Sequence, residues 1–96
     1  MKRPEGIKLL SFSSGSPRDQ ATGMLGWLTL QVGCLLVLHG VALRRTRSGD
    51  LTLSFPQRSD SRGRRHPLVR PLDDEARRAI EAQVWAALGL QEGEQR

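Results

Sequence analysis

An uncharged stretch of twenty residues, 24–43, dominates the hydrophobic pattern of the chain. It is long enough to cross a bilayer as one helix, so a small membrane-anchored basic protein is one interpretation. Within it, however, Leu28, Leu30 and Val32 alternate with polar or small residues, a period of two that is typical of a strand with one buried face. The pattern therefore favours two adjoining β-strands.

Two glycines divide this stretch. Gly33 predicts the turn between the strands, and Gly40 predicts a bulge in the second strand. Residues 34–38 are apolar at every position, which predicts a central strand covered on both faces. Cys34 is the single cysteine of the chain and has no neighbouring cation. We therefore expect it to be a small buried hydrophobic residue rather than a reactive thiol.

Shorter patterns predict the elements on either side. Residues 7–12 read as a strand, and residues 13–23 are rich in Ser, Gly and Pro, which indicates a loop. The Ser-Gly-Asp sequence at 48–50 predicts a hairpin into a strand over 51–55. Pro56 ends that strand because proline has no N–H to donate to a ladder. Residues 57–71 then show no sustained period and contain five arginines, which predicts an exposed basic loop with a short edge strand at 68–70.

The C-terminal segment carries the clearest helix signals. Asp73 is an N-cap, two acidic residues follow it in the first turn, and Gly89 is a stop signal. An apolar stripe at helical spacing should pack on the sheet; it consists of Ala76, Ile80, Val84 and Ala87, with Leu88 beside it. Trp85 points away from this stripe, which predicts a contact between subunits, the interpretation we prefer, or a tryptophan on the free surface.

These elements predict one α+β domain over residues 6–89, with a small antiparallel sheet and a C-terminal helix packed on it. Residues 1–5 are expected to be disordered, and residues 90–96 to form a polar tail. A chain of 96 residues with two Trp, two Phe and no Tyr has few large side chains with which to build a core. We therefore expect it to bury further apolar surface as a dimer.

Charge indicates the kind of partner. The chain has 15 Lys and Arg against 10 Asp and Glu, a formal net charge of +5, and all but two of the cations are arginine. Such a field attracts phosphate backbones, and arginine contacts phosphate with two parallel N–H donors. The candidate nucleic-acid-binding residues are Arg58, Arg62, Arg64, Arg65, Arg70, Arg77 and Arg78. In an alternative interpretation, the same arginines meet an acidic protein in a structural or cell-division role.

Catalytic and metal-binding signatures are not found in the sequence. One Cys and two His have no metal-ligand spacing, and there is no GxSxG elbow, phosphate-binding loop or dinucleotide fingerprint. The acidic cluster at 73–75 is explained by the start of the helix. We expect a binding protein without catalytic activity, metal, cofactor or small-molecule substrate.

Four segments, in this order and spacing, resemble the septation protein SpoVG family of small bacterial proteins. They are LHGVALRR, SGDLTLSFPQRS, the Arg/Gly loop and VRPLDDEARRAIEAQV, and the resemblance covers about residues 27–88. The positions that match the family pattern are His39, Pro56, Arg58, Pro71 and Arg77. Arg70 stands where the family usually has His, and Ala79 stands where it often has Lys.

The resemblance implies a cytoplasmic homodimer with a small antiparallel sheet and a C-terminal helix. It also implies a regulatory role linked to cell division, septation or sporulation, exerted by binding DNA and RNA. The basic loop and the expected dimer, which were reached from the residues, agree with these implications.

Overall fold

The computed structural model describes residues 6–90, in which a four-stranded antiparallel sheet, a two-stranded hairpin and two helices form an α+β fold, as predicted. The sheet has the order β1-β2-β3-β4, and its strands are β1 (Ile7–Ser14), β2 (Met24–Val32), β3 (Leu36–Arg45) and β4 (Leu51–Ser54). The hairpin consists of β5 (Gln57–Ser59) and β6 (Arg65–Pro67). The helices are α1 (Pro17–Ala21) and α2 (Asp74–Leu88).

The uncharged stretch 24–43 lies in β2 and β3, which pair antiparallel on either side of a turn at residues 33–35. The prediction of two adjoining strands is confirmed, and the interpretation of this stretch as a membrane-spanning helix is wrong. Neither helix within residues 6–90 has the length and apolar character needed to cross a membrane.

The predicted bulge in β3 is also confirmed. Two residues, His39 and Gly40, stand opposite the single residue Thr29, and Gly40 has a φ of 77°, which favours glycine. Because the extra residue reverses the alternation of the strand, Leu38 and Val41 both face the core. Their partners across the ladder are Leu30 and Leu28, which are 1% exposed.

The core lies between α2 and one face of the sheet. Its buried side chains are Leu28, Leu30, Val41, Leu43, Leu51, Leu53, Val84 and Trp85. Gly26 allows β1 to approach β2 at the edge of this core, since a Cβ there would lie 2.6 Å from Cε1 of Phe12. Among residues 6–90 all the buried residues are apolar, so the stability of the fold depends on this one thin layer.

The ends of α2 confirm the predicted signals. The Asp73 side chain accepts a hydrogen bond from the Ala76 backbone N–H at 2.8 Å, and the helix ends at Gly89. The next residue, Leu90, donates its N–H to the Trp85 carbonyl at 2.7 Å and packs against the core. The core therefore includes a residue that the sequence analysis assigns to the tail. The expectations for residues 1–5 and 91–96 lie outside the described residues.

Trp85 does not point away from the core, and this prediction is wrong. Its side chain is 6% exposed within one chain and packs beside Val84. The apolar stripe of α2 is wide enough to include both Val84 and Trp85, and Ile80 and Leu88 lie at its borders. Ala87, in contrast, is exposed. A side chain buried in this way has little surface to offer to a second subunit.

Residues 34–38 are less covered than predicted. Cys34 is exposed rather than buried, and Leu35, Leu36 and Val37 are 87%, 64% and 52% exposed. These residues form the turn end of the β2–β3 hairpin, which α2 covers only in part. The prediction of a strand with two covered faces is therefore wrong for this end of β3.

The two polar segments contain more regular structure than predicted. The loop at 13–23 includes α1, which Ser16 caps by accepting a hydrogen bond from the Asp19 N–H. The basic loop at 57–71 includes the β5–β6 hairpin, so the expected edge strand at 68–70 is replaced by a strand three residues earlier. The Pro56 carbonyl accepts the N–H groups of Leu68 and Val69 at 3.0 and 3.4 Å, which fixes the base of this hairpin at the end of β4.

Candidate nucleic-acid interface

One carboxylate holds the turn between β5 and β6. Asp60 Oδ1 accepts the backbone N–H groups of Arg62 and Arg64, both at 2.9 Å, and Oδ2 accepts Arg64 Nε at 3.2 Å. His66 Nε2 lies 2.9 Å from the same Oδ2. These contacts, with that of the His66 side chain first among them, lower the pKa of Asp60. The turn is thus held by a side chain that remains ionised at neutral pH.

Three arginines of the hairpin extend from this turn with no side-chain partner. Arg58, Arg62 and Arg65 are exposed, and within residues 6–90 their guanidinium groups form no hydrogen bond or ion pair. In the β5–β6 register Arg58 stands opposite His66, and Arg65 stands opposite Ser59, so the two arginines project from opposite faces of the hairpin. We call these three residues the hairpin arginines.

Three other predicted arginines are engaged in the fold. Arg64 forms the ion pair with Asp60, and Arg70 Nη1 donates to the carbonyls of Pro71 and Leu72 at 3.0 and 3.2 Å. Arg77 Nη1 donates to the Leu53 carbonyl at 3.1 Å and to Glu81 Oε2 at 3.3 Å.

Arg77 and Glu81 together occupy the outer edge of β4. Glu81 Oε2 accepts the Leu53 N–H at 3.4 Å, and the Arg77 guanidinium lies 5.8 Å from the centre of the Phe55 ring. Since the outer N–H and C=O of Leu53 are both satisfied by α2, this edge is protected from pairing with another strand. The role that the structure gives to Arg77 is thus to join α2 to the sheet. Arg78, one residue on, is exposed on α2 and lines a shallow depression with Glu81 and Trp85.

A polar groove joins the hairpin to the main sheet. Its volume is about 590 Å³, and it brings Arg65 of β6 together with Arg44 of β3. The other lining residues are Gly40, Ala42, Ser54, Phe55, Pro56 and Gln57. Arg44 is not among the site residues predicted from the sequence. Because Arg44 follows the buried Leu43 in β3, strand alternation places it on the face of the sheet that points away from the core. No signal in the sequence indicates that it lies near Arg65.

An apolar groove of about 340 Å³ lies at the turn end of β2 and β3. Its wall includes Leu36, Val37, Val69 and Leu72, which are 64%, 52%, 41% and 74% exposed. The rest of the lining is Ile7, Leu30, Val32, Leu38, Phe55, Arg70, Pro71 and Ile80. The exposed apolar side chains of the protein are therefore partly gathered at one end of the sheet.

Three residues that match the SpoVG pattern, His39, Pro56 and Pro71, lie in different parts of the structure. His39 is exposed at the bulge of β3, and Pro56 accepts the two N–H groups at the base of the hairpin. Pro71 is half-buried in the apolar groove. Over residues 6–90, no three His, Cys, Asp or Glu side chains are grouped in a way that could hold a metal ion.

The chain was compared with protein-family models, with curated proteins and with solved structures. No family model matches it. No curated protein and no solved structure matches it either.

Proposed function

We propose that the protein binds nucleic acid through the phosphate backbone by means of the hairpin arginines. The observation that carries this proposal is that Arg58, Arg62 and Arg65 are exposed and, within residues 6–90, unpaired, on a hairpin whose turn Asp60 holds in place. Guanidinium groups presented in this way can donate two parallel hydrogen bonds to a phosphate without first breaking a bond within the protein. Such contacts give affinity without selecting a base sequence.

We further propose a regulatory role of the SpoVG type, linked to cell division, septation or sporulation in the cytoplasm. The support for it is the resemblance of residues 27–88 to that family, in which the matching Arg58 is one of the hairpin arginines. Arg77, which also matches, supports the fold and not the phosphate contact in this proposal, because its guanidinium is bonded to the Leu53 carbonyl and to Glu81.

Fluorescence anisotropy of a labelled 20-nucleotide single strand and of a labelled 20-base-pair duplex tests the binding proposal. With purified protein at 50 mM salt, we expect binding with a dissociation constant of about 10 µM or below, since non-specific binding is stronger at low salt. Polyglutamate of equal charge is the control competitor and should displace the oligonucleotide poorly. Equal displacement would favour the alternative of an acidic protein partner. Absence of binding to both oligonucleotides at 100 µM protein would contradict the proposal.

We also propose that the protein is a homodimer, and that two copies meet at the apolar groove and not at Trp85. Leu35 projects into solvent beside the apolar groove, whose wall includes Leu36, so each copy has a projection and a recess. In a two-fold symmetric contact the projection of each subunit meets the recess of the other. Exposed apolar clusters of this kind are typical of interaction sites.

Sedimentation velocity at 50 µM tests the dimer. We expect a single species of twice the chain mass for the unaltered protein, and the Leu36→Glu variant should sediment as a monomer because its carboxylate would be buried without a partner in the contact. Leu10→Glu is the matched control, since Leu10 is 44% exposed on β1 and does not line the groove. A monomeric unaltered protein would contradict the proposal, as would a dimer that Leu36→Glu does not weaken.

A further inference from the structure

The face of the sheet opposite α2 carries an exposed tryptophan that the proposed phosphate contacts do not use. Trp27 lies in β2, a central strand, and its side chain is 42% exposed. Its neighbours Leu28 and Gly26 face the core, so alternation along the strand places the indole on the other face. We call this surface, which α2 does not cover, the open face.

The indole stands in a row of small side chains across the whole sheet. The ladders pair Ser13 with Trp27, Trp27 with Ala42, and Ala42 with Ser54. Because neither neighbour on the adjoining strands is large, part of the indole stays open to solvent, and Trp27 is 42% exposed. A flat aromatic surface with small neighbours is suited to stacking against another planar ring.

The charge of the open face is of one sign. Alternation and register place two cations, Lys8 and Arg44, and no Asp or Glu on it. The residues of the open face are Lys8, Ser11, Ser13, Met24, Trp27, Thr29, Gln31, Val37, Ala42, Arg44, Thr52 and Ser54. Arg44 is exposed, and its guanidinium donates a weak hydrogen bond to Met24 Sδ at 3.5 Å. The face therefore complements a polyanion that also contains aromatic rings.

The polar groove connects the open face to the hairpin arginines. Its lining includes Ala42 and Ser54, which belong to the row that contains Trp27, together with Arg44 of β3 and Arg65 of the hairpin. A chain with a base on Trp27 would therefore pass cationic side chains as it leaves the sheet. Four-stranded sheets and open grooves that bind single strands combine these same two features, an aromatic platform and cations along the backbone.

From this arrangement we propose that the open face binds single-stranded nucleic acid, with one base stacked on Trp27 and the neighbouring phosphates contacted by Arg44 and Arg65. The inference rests on the proposed function and gives it a preferred ligand. Bases in a duplex are already stacked on each other and cannot lie flat on an indole. The stacking contact should thus be available to single strands and not to duplexes.

The test compares a 12-nucleotide oligothymidylate with a 12-base-pair duplex in fluorescence anisotropy. The Trp27→Leu variant keeps an apolar side chain but loses the ring, and we expect it to bind the single strand about 10-fold more weakly, while its duplex affinity stays within about 2-fold. Trp27→Phe should retain most of the single-strand affinity. Phe12→Leu is the matched control, because Phe12 is 40% exposed but pairs with Leu28 on the face that packs against α2; its single-strand affinity should not change.

Tryptophan emission of the unaltered protein gives a second measurement that does not depend on any variant. Trp27 is exposed and Trp85 is buried, so stacking of a base should quench the Trp27 part of the emission as oligothymidylate saturates the protein. The inference is overturned if the oligonucleotide binds without quenching, or if Trp27→Leu weakens single strand and duplex equally or not at all. In each of those cases the protein still binds nucleic acid, so the proposed function would stand while this inference fails. If neither oligonucleotide binds the unaltered protein, the proposed function fails and this inference fails with it.

Discussion

Replacing Trp85 by alanine is expected to lower the free energy of unfolding by about 3–5 kcal/mol, the usual cost of removing a large buried aromatic side chain. Trp85 is 6% exposed and packs with Val84 and the sheet residues of the core. A domain of this size has only about 5–10 kcal/mol of stability in total. The variant should therefore lose about half of its stability and unfold at about half the urea concentration of the unaltered protein, as followed by circular dichroism.

Trp27→Ala is the matched control because it removes the same side chain from an exposed position. Its side chain is 42% exposed and belongs to the open face, so the expected loss is about 1 kcal/mol or less. If instead Trp85→Ala unfolded at the same urea concentration as the unaltered protein and only changed the oligomeric state, Trp85 would be the subunit contact that the sequence suggests. The packing of α2 described above would then be wrong.

The second large effect is expected for binding. Replacing Arg58, Arg62 and Arg65 together by glutamine should weaken the binding of a 20-nucleotide single strand about 100-fold at 100 mM salt. Each exposed guanidinium contributes roughly 1 kcal/mol to a phosphate contact, and three such contacts amount to a factor of about 100. Because these side chains form no bond within residues 6–90, the thermal unfolding midpoint should stay unchanged, which separates lost binding from lost folding.

A variant with changes outside the hairpin controls for net charge. Arg18 and Arg47 are exposed on α1 and on the turn between β3 and β4. Their joint replacement by glutamine removes two positive charges without touching the hairpin, and we expect the affinity to fall by no more than about 4-fold through the weaker overall field. Equal losses per charge in the two variants would mean that the protein attracts nucleic acid by its net charge alone, with no site on the hairpin.

Much of the fold follows from local sequence signals. The turn at Gly33, the bulge at Gly40 and the start of α2 at Asp73 each depend on residues within a few positions of one another. The predicted alternation of Leu28 and Leu30 with polar residues is likewise a property of a single strand. Conformations that neighbouring residues determine in this way can be predicted without knowledge of the tertiary contacts.

The predictions that are wrong concern which apolar side chains are covered by another secondary-structure element. The pattern places both Leu28, which is 1% exposed, and Leu36, which is 64% exposed, at apolar strand positions, so it cannot tell which of them the helix covers. The spacing of apolar residues in α2 shows a stripe but not its width, and the width decides that Trp85 is buried. The exposure of Leu36 and the burial of Trp85 both depend on how far the helix extends over the sheet, which is a tertiary property.

The candidate site could be predicted only as a group of charges. The sequence shows seven arginines between residues 58 and 78, but not that Arg77 donates to the carbonyl of Leu53, 24 residues earlier, nor that Arg65 shares a groove with Arg44. The Asp60 contact with Arg64 is local, four residues apart, and belongs to the kind of turn that the sequence can signal. Which arginines remain available to a ligand is decided by the long-range contacts.

The salt dependence of binding tests the central claim, that the hairpin arginines hold phosphates, most directly. The affinity of the 20-nucleotide single strand is measured between 50 and 200 mM salt for the unaltered protein and for the variant that lacks all three hairpin arginines. Each lost phosphate contact reduces the slope of log affinity against log salt by about 0.7, so the account predicts a slope shallower by about 2. An unchanged slope in the variant would contradict it.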